Sequence, residues 1–369
     1  MSETKPCLVR NKFFKSFTYK SFYIVILFLS YNYDASAQCC SGGGGGASAI
    51  AGDFASGVLL KNQLEFNVNF QHTHTEQFFD GTSKMDVEKY LDLGGGNYLT
   101  GFDNNYLYSR IAYGISDKLT FSVETGYYLN KTEFRKNYLV NTIKSKGITN
   151  LILFPRYNVY LKKTEKYKTE ITIGVGQKIP LGSYNDSVLV FTQTNGREEK
   201  DRKSPAIQLS SGAKDFLYSA SFSRRFIPLK FSLSLNAFYI MKGWNPMKEK
   251  FGDYTSVSLS ATKSVAQNLS LIVQLKGENT GVRQIQKEYI KDIMSEANLP
   301  ENSGNFKLFI VPRLIYNING PFIKNGALFL SSELPVYQNV NGIQLGSQIN
   351  LSFGVLLRIQ MKKNDKEDL

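Results

Sequence analysis

Residues 119–129 read Leu-Thr-Phe-Ser-Val-Glu-Thr-Gly-Tyr-Tyr-Leu, with two kinds of side chain taking turns. Leu119, Phe121, Val123, Thr125, Tyr127 and Leu129 share one face; Thr120, Ser122, Glu124, Gly126 and Tyr128 share the other. Successive side chains of a strand point to opposite sides, so this segment is a strand with one greasy and one wet face. The same period returns at 269–277, where Leu269, Leu271, Val273 and Leu275 oppose Ser270, Gln274 and Lys276. It returns again near the C-terminus, where Ile349, Leu351, Phe353, Val355, Leu357 and Ile359 oppose Asn350, Ser352 and Arg358.

Twelve such segments can be marked, at 58–74, 102–115, 118–131, 146–161, 166–179, 216–226, 229–242, 252–264, 268–280, 305–318, 326–336 and 345–361. The short connections are 116–117, 162–166, 227–228, 265–268 and 319–325. The long ones are 75–101, 132–145, 180–215, 243–251, 281–304 and 337–344. A soluble sandwich also alternates. It would rarely keep so many long strands with Lys, Arg and Glu on the wet face and loops this asymmetric. The pattern predicts an all-β protein, a transmembrane antiparallel up-and-down β-barrel of about twelve strands around a polar lumen. An even strand count returns both ends of the barrel to the periplasmic side. Ala206–Ala213 is a candidate for a further strand segment, and Gln284–Ala297 has a helix-like pattern.

Residues 1–37 have the layout of a cleaved signal peptide. Arg10, Lys12, Lys15 and Lys20 are basic, 22–29 (FYIVILFL) is apolar, and Ala35-Ser36-Ala37 is a small-residue cleavage site. The apolar run falls well short of the ~20 residues a membrane helix needs, and no later stretch approaches that length. Gln38 before Cys39 argues against lipidation. The expected organisation is a signal peptide at 1–37, a flexible Cys/Gly-rich tail at 38–57 able to tuck into the barrel mouth, the barrel at 58–361 and a charged tail at 362–369. That last tail leaves any terminal insertion signal internal.

Charged residues make up 20% of the 369-residue chain and aromatics 13%, with 26 Phe, 22 Tyr and one Trp. Aromatic girdles at the two membrane interfaces would use them. The slightly negative mean hydropathy is unlike that of a helical membrane protein. A formal charge of +13 points to anionic partners. For an exported barrel those are outer-membrane lipid and lipopolysaccharide or an anionic small-molecule solute, not nucleic acid. The barrel-insertion machinery is the expected partner during biogenesis.

Two segments echo each other: Leu153-Phe154-Pro155-Arg156-Tyr157 and Ile310-Val311-Pro312-Arg313-Leu314. Parity puts each Pro on the lipid face and each Arg on the lumen face. Pro avoids strand interiors, so a local bulge or kink is expected at both. The two arginines could select anionic solutes, as basic rings do in anion pores, or they could pair with Glu124, Glu170 or Glu333. The candidate lumen and selectivity residues are Arg110, Glu124, Arg156, Lys276, Arg313 and Arg358.

Cys39 and Cys40, and His72 and His74, are the candidate metal ligands, although two ligands fall short of the usual four. No cofactor is expected. The five glycines 42–46 lack the Lys-Ser/Thr of a phosphate loop. A Ser-His-Asp triad would need one of only two histidines, neither of which sits in a nucleophile motif. Asp80 and Asp86 are the acidic residues that an outer-rim hydrolase site would draw on.

Several further segments occur in an informative order. They are Gly147-Ile148-Thr149-Asn150-Leu151, Lys178-Ile179-Pro180-Leu181-Gly182, 208–215 (QLSSGAKD) leading into 221–226 (SFSRRF), and 333–345 (ELPVYQNVNGIQL). Together they resemble the outer-membrane transporter family labelled "MetA-pathway of phenol degradation", across roughly residues 100–360. Asn150 departs from the acidic residue of that pattern. The resemblance implies passage of small, aromatic or hydrophobic molecules across the outer membrane, and no catalytic residues. The leading expectation is therefore a non-enzymatic channel in the bacterial outer membrane. The alternatives are a non-conducting barrel displaying loops for binding, a metal-related transporter, or an outer-membrane enzyme.

Overall fold

The computed structural model describes residues 57–86, 98–136, 140–286, 300–318 and 326–361. The signal peptide, Cys39, Cys40, the 362–369 tail and most of the helix-like segment lie outside these residues.

Twelve strands form one closed antiparallel ring. They are β1 (Gln63–Thr75), β2 (Tyr98–Ser116), β3 (Leu119–Lys136), β4 (Thr142–Lys163), β5 (Tyr167–Pro180) and β6 (Asp215–Phe226). The second half is β7 (Phe231–Met241), β8 (Tyr254–Ser264), β9 (Leu269–Thr280), β10 (Asn305–Ile318), β11 (Gly326–Leu345) and β12 (Asn350–Gln360). Each strand pairs with its sequence neighbours, and the ring closes where β1 meets β12, from Gln63 opposite Gln360 to Thr73 opposite Asn350. No helix among the described residues is long and apolar enough to cross a membrane. Closure leaves no unpaired edge, the condition for strands to cross a bilayer.

The alternation sets the two surfaces. Val68, Ile111, Val123, Ile173, Leu235, Leu259, Val273 and Phe353 are exposed on the outside, where lipid takes the place of water. Glu65, Asn67, Ser122, Glu124, Ser258, Gln274 and Ser352 are buried inside. An inverted soluble pattern of this kind, apolar out and polar in, is the signature of a membrane barrel.

Strand lengths differ from the expectation at the loop end. Residues 132–136 and 142–145 extend β3 and β4 and are still paired, Phe134 opposite Thr142. Residues 337–345 extend β11, pairing with β10 and, at Ile343–Leu345, with the short strand Phe78–Gly81. Strand β12 accordingly begins at 350 rather than 345. These extensions have no apolar period because no lipid faces them, yet their backbone groups still need partners. Ala206–Ala213 is not a strand; it is a turn-rich loop with Ile207 fully buried. Gln284–Ile285 is a two-residue strand paired with Glu249–Lys250, not the start of a helix.

Neither Pro155 nor Pro312 produces the expected bulge. Pro155 sits opposite Phe121 and Pro312 opposite Val273 with no shift in register. On the other side the ladder skips the proline, between Leu153 and Arg156 towards β5 and between Ile310 and Arg313 towards β11, and resumes in the same register. Proline lacks the N–H that would bond there, and the surrounding pairs hold the register. The nearby bulges lie at Asn158/Tyr160 and at Leu308/Phe309.

Inside the ring, aromatic side chains lie on inward-facing glycines. Phe154 covers Gly174 and Gly176, Tyr106 covers Gly126, and Phe329 covers Gly354. A methyl group at Gly354 would meet the Phe329 ring and, at 2.7 Å, the Val68 carbonyl oxygen. Backbone in a closed ring cannot retreat, so Gly354→Val is expected to destabilise the barrel by about 1–3 kcal/mol. Urea unfolding in micelles, followed by heat-modifiable gel migration, measures the loss.

Candidate functional site

All six candidate selectivity residues are on the lumen face, and strand register decides how they group. The first network lies on β12, β1, β2, β3 and β4, towards the end with the short turns. Glu65 is its hub: it is completely buried, bonds Arg110 with one oxygen and accepts from Arg358 Nε at 2.7 Å with the other. Glu65 lies directly opposite Arg358 in the β1–β12 ladder, so the pair also ties the seam where the ring closes. Arg110 lies opposite Glu124 in the β2–β3 ladder. Glu124 accepts from the Tyr108 hydroxyl at 2.7 Å and the Ser122 hydroxyl at 2.8 Å. Arg156 is buried on the adjacent strand, its side chain beside Gly174.

The second network lies on β8, β9, β11 and β12, nearer the loops. Lys276 is almost wholly buried and donates to Glu333 at 2.6 Å and Glu278 at 2.8 Å. Its ammonium also stands 4.8 Å from the Phe309 ring centre. Tyr254 donates to Glu278 at 2.7 Å and Asn350 to Glu333 at 3.3 Å. Arg313 is buried on β10, opposite Ile272 and Ser331. Of the carboxylates considered as arginine partners, Glu333 binds Lys276 and Glu170 binds Lys168 at 2.9 Å. A third stretch of wall is apolar: Ile152, Phe154, Leu217, Phe238, Ile240 and Tyr254 pack together on β4, β6, β7 and β8.

The outer mouth is organised by two further carboxylates. Asp215, fully buried at the start of β6, accepts from Lys178 at 3.2 Å, from Lys242 at 3.1 Å and from the Gly243 N–H at 3.2 Å. Glu249 joins three loops. It receives Arg202 from the 181–214 loop at 2.8 and 3.3 Å, and Arg283 from the loop after β9 at 2.8 Å. Within its own loop, Asn245 donates to it at 3.4 Å and also to the Ser211 carbonyl at 2.9 Å. The 181–214 loop is pinned to the ring as well. Lys131 donates to the Gln208 carbonyl at 2.7 Å, Ser204 bonds Glu133, and Leu209 packs on Tyr106, Tyr108 and Tyr128.

Burial alone would raise the Glu249 pKa. The Arg202 hydrogen bonds and the charges of Arg283 and Arg202 outweigh it and hold the carboxyl below its ordinary 4.5. A carboxyl depressed in this way stabilises the latched mouth above about pH 4.5, and that contribution is lost as pH falls through the lowered value.

The histidines share the outer face of β1 as expected. His72 Nδ1 lies 2.9 Å from the Asn105 side-chain oxygen and 3.7 Å from Asp103; His74 Nε2 lies 3.5 Å from Glu76. No cluster of three or more metal-ligating side chains occurs among the described residues. Glu65, Asp215 and Glu249 are the hubs that reading strands singly missed. Glu65 was within reach by parity, since Phe66, Val68 and Phe70 fix the lipid face of its strand. Its two partners come from β2 and β12 and carry no local signal.

No family model matches the chain, and no curated protein matches it. Among solved structures, an outer-membrane channel from Pseudomonas putida F1 superposes with a TM-score of 0.59 at 13% identity, covering 83% of this chain and 99% of that one. The fold is that of an outer-membrane β-barrel. Two looser matches are the NanC porin (TM-score 0.39, 9% identity, 80% and 100% covered) and a Pseudomonas aeruginosa FadL homologue (0.39, 9%, 82% and 91%).

Two outcomes follow from the ion-pair geometry. Glu65→Ala strands two arginines at the ring seam and is expected to cost about 3–5 kcal/mol. Lys168→Ala removes a partly exposed pair and should cost under about 1 kcal/mol; urea midpoints of the two variants give the comparison. Limited proteolysis of the 181–214 loop should accelerate as pH falls below 4.5 and on through the lowered Glu249 value, and Glu249→Gln should be cleaved faster than the wild type at pH 7.

Proposed function

We propose that the barrel is a passive channel for small solutes, non-enzymatic, with Arg110, Glu124, Arg156, Lys276, Arg313 and Arg358 setting what passes. The observation that carries this reading is the lumen wall: buried charged and hydrogen-bonding side chains occur on strand after strand. A barrel serving only as a scaffold would be more stable filled with apolar side chains, because buried ion pairs rarely recover their desolvation. A lumen kept polar against that cost is suited to a hydrated path. The comparison with the Pseudomonas putida channel supports the same architecture.

The solute we propose has an apolar or aromatic body and an anionic or hydrogen-bonding group. The apolar wall at Ile152, Phe154, Leu217 and Phe238 would take the body, and Arg156, two residues along from Phe154, would take the polar end. The resemblance to the phenol-degradation transporter family supports an aromatic body. In transit the solute moves down its gradient, exchanging water for successive lumen partners.

A second reading is a barrel that holds its mouth shut and displays its loops. The fully buried Ile207 and the three-loop junction at Glu249 favour it.

Planar-bilayer conductance of the refolded protein separates the two. The channel reading expects steady single-channel currents with anion preference, and Arg156→Ala with Arg313→Ala should lower that preference severalfold. A folded barrel without conductance would overturn it and leave the display reading.

A further inference from the structure

The chain enters and leaves the barrel at the short-turn end, where the Met361 N–H donates to the Asn62 carbonyl at 2.9 Å. In outer-membrane barrels short turns face the periplasm. At this end, three neighbouring hairpin tips form one arc. The Ile227 N–H of the β6–β7 turn donates to the Lys166 carbonyl of the β4–β5 turn at 3.0 Å. The Ser264 N–H, at the end of β8, donates to the Lys230 carbonyl at 3.1 Å. The Lys263 ammonium donates to the Leu229 carbonyl at 2.7 Å.

The arc carries Lys162, Lys163, Lys166, Arg224, Lys230 and Lys263. None of these six makes an ion pair among the described residues. Nearby, Glu170 is taken by Lys168, which leaves Glu165 as the acidic residue of these turns. The outer mouth is different: Lys178, Lys242, Arg202 and Arg283 all converge on Asp215 or Glu249. Lys84, Lys146 and Lys214 at that end also make no ion pair among the described residues, but only at the short-turn end do six such cations stand together on adjoining turns.

The same arc is greasy. Ile227, Leu229 and Val265 are exposed, Leu229 by 60%. Arg224 is on the lipid face, its guanidinium 4.4 Å from the Tyr167 ring centre and 5.9 Å from that of Phe226, and Phe226 stacks on Phe231. Arg224 Nε finds no acceptor among the described residues. Aromatic rings, exposed aliphatics and cations at one depth match the headgroup layer of a bilayer, where acyl chains receive the first two and phosphates the third. A soluble acidic partner would satisfy the charge and leave Leu229 and the ring stack unexplained.

We propose that this arc binds anionic glycerophospholipid of the inner leaflet, with the lipid phosphate at Arg224, Lys166 and Lys230.

Native mass spectrometry of the protein released from vesicles of phosphatidylcholine containing a minority of phosphatidylglycerol tests it. The wild type is expected to retain phosphatidylglycerol about tenfold above its share of the bilayer. Lys166→Gln/Arg224→Gln/Lys230→Gln should lose that enrichment. Lys84→Gln/Lys146→Gln/Lys214→Gln, the same charge change at the loop end, should keep it. Heat-modifiable gel migration verifies that each variant is folded, and Arg224→Lys should retain most of the preference. Retention of the two lipids in proportion to the bilayer, as for an arc that meets a soluble acidic partner, would overturn the proposal. So would undiminished enrichment in the arc variant, or displacement of the lipid by inorganic phosphate alone.

Discussion

A strand that crosses a bilayer must have both of its backbone edges satisfied by other strands, because hydrocarbon offers no hydrogen bonds. The twelve-membered ring follows from that constraint, and so does the importance of its seam. Strands β1 and β12 are almost the whole chain apart in sequence, yet they must meet in one register. Glu65 and Arg358 stand opposite each other there, with Arg110 completing the group from β2. A shift of one residue in β1 would turn Glu65 towards lipid and its neighbours Leu64 and Phe66 inward. The ion pair and the apolar face therefore enforce the same register.

Closing the ring creates an interior that the chain must then fill. Three solutions coexist there. Charged groups are gathered into networks around Glu65 and Lys276, aromatics are laid across glycines, and an apolar patch occupies the wall between the networks. The glycines suit the second solution because a flat ring needs a strand without side chains to lie on. Separating polar from apolar wall gives the lumen two chemically distinct sides, which is what an amphipathic solute would distinguish.

The two ends of the barrel use the same residue types to different effect. At the outer mouth, cations from separate loops converge on single carboxylates and hold the loops together. At the periplasmic rim, the six cations of the arc make no ion pair among the described residues and sit beside exposed aliphatic and aromatic groups. The difference lies in the acidic residues: Asp215 and Glu249 each gather two cations, whereas Glu165 in the turns of the arc makes no ion pair among the described residues.

The sequence by itself determined the class, the number of strands and which way each side chain faces, since all three depend on a period of two that every strand carries locally. Parity alone placed Arg110, Glu124, Arg156, Lys276, Arg313 and Arg358 inside. Only the tertiary structure decided who meets whom. Residues 337–344 read as a loop, yet they form strand because β10 and Phe78–Gly81 offer them backbone partners. Prolines 155 and 312 read as kinks, yet the flanking ladders keep both strands in register. Glu249 reads as one loop carboxylate among many until Arg202 and Arg283 arrive from loops far along the chain. Pairing between distant strands and loops depends on how the ring closes, and ring closure leaves no mark on the composition of any single segment.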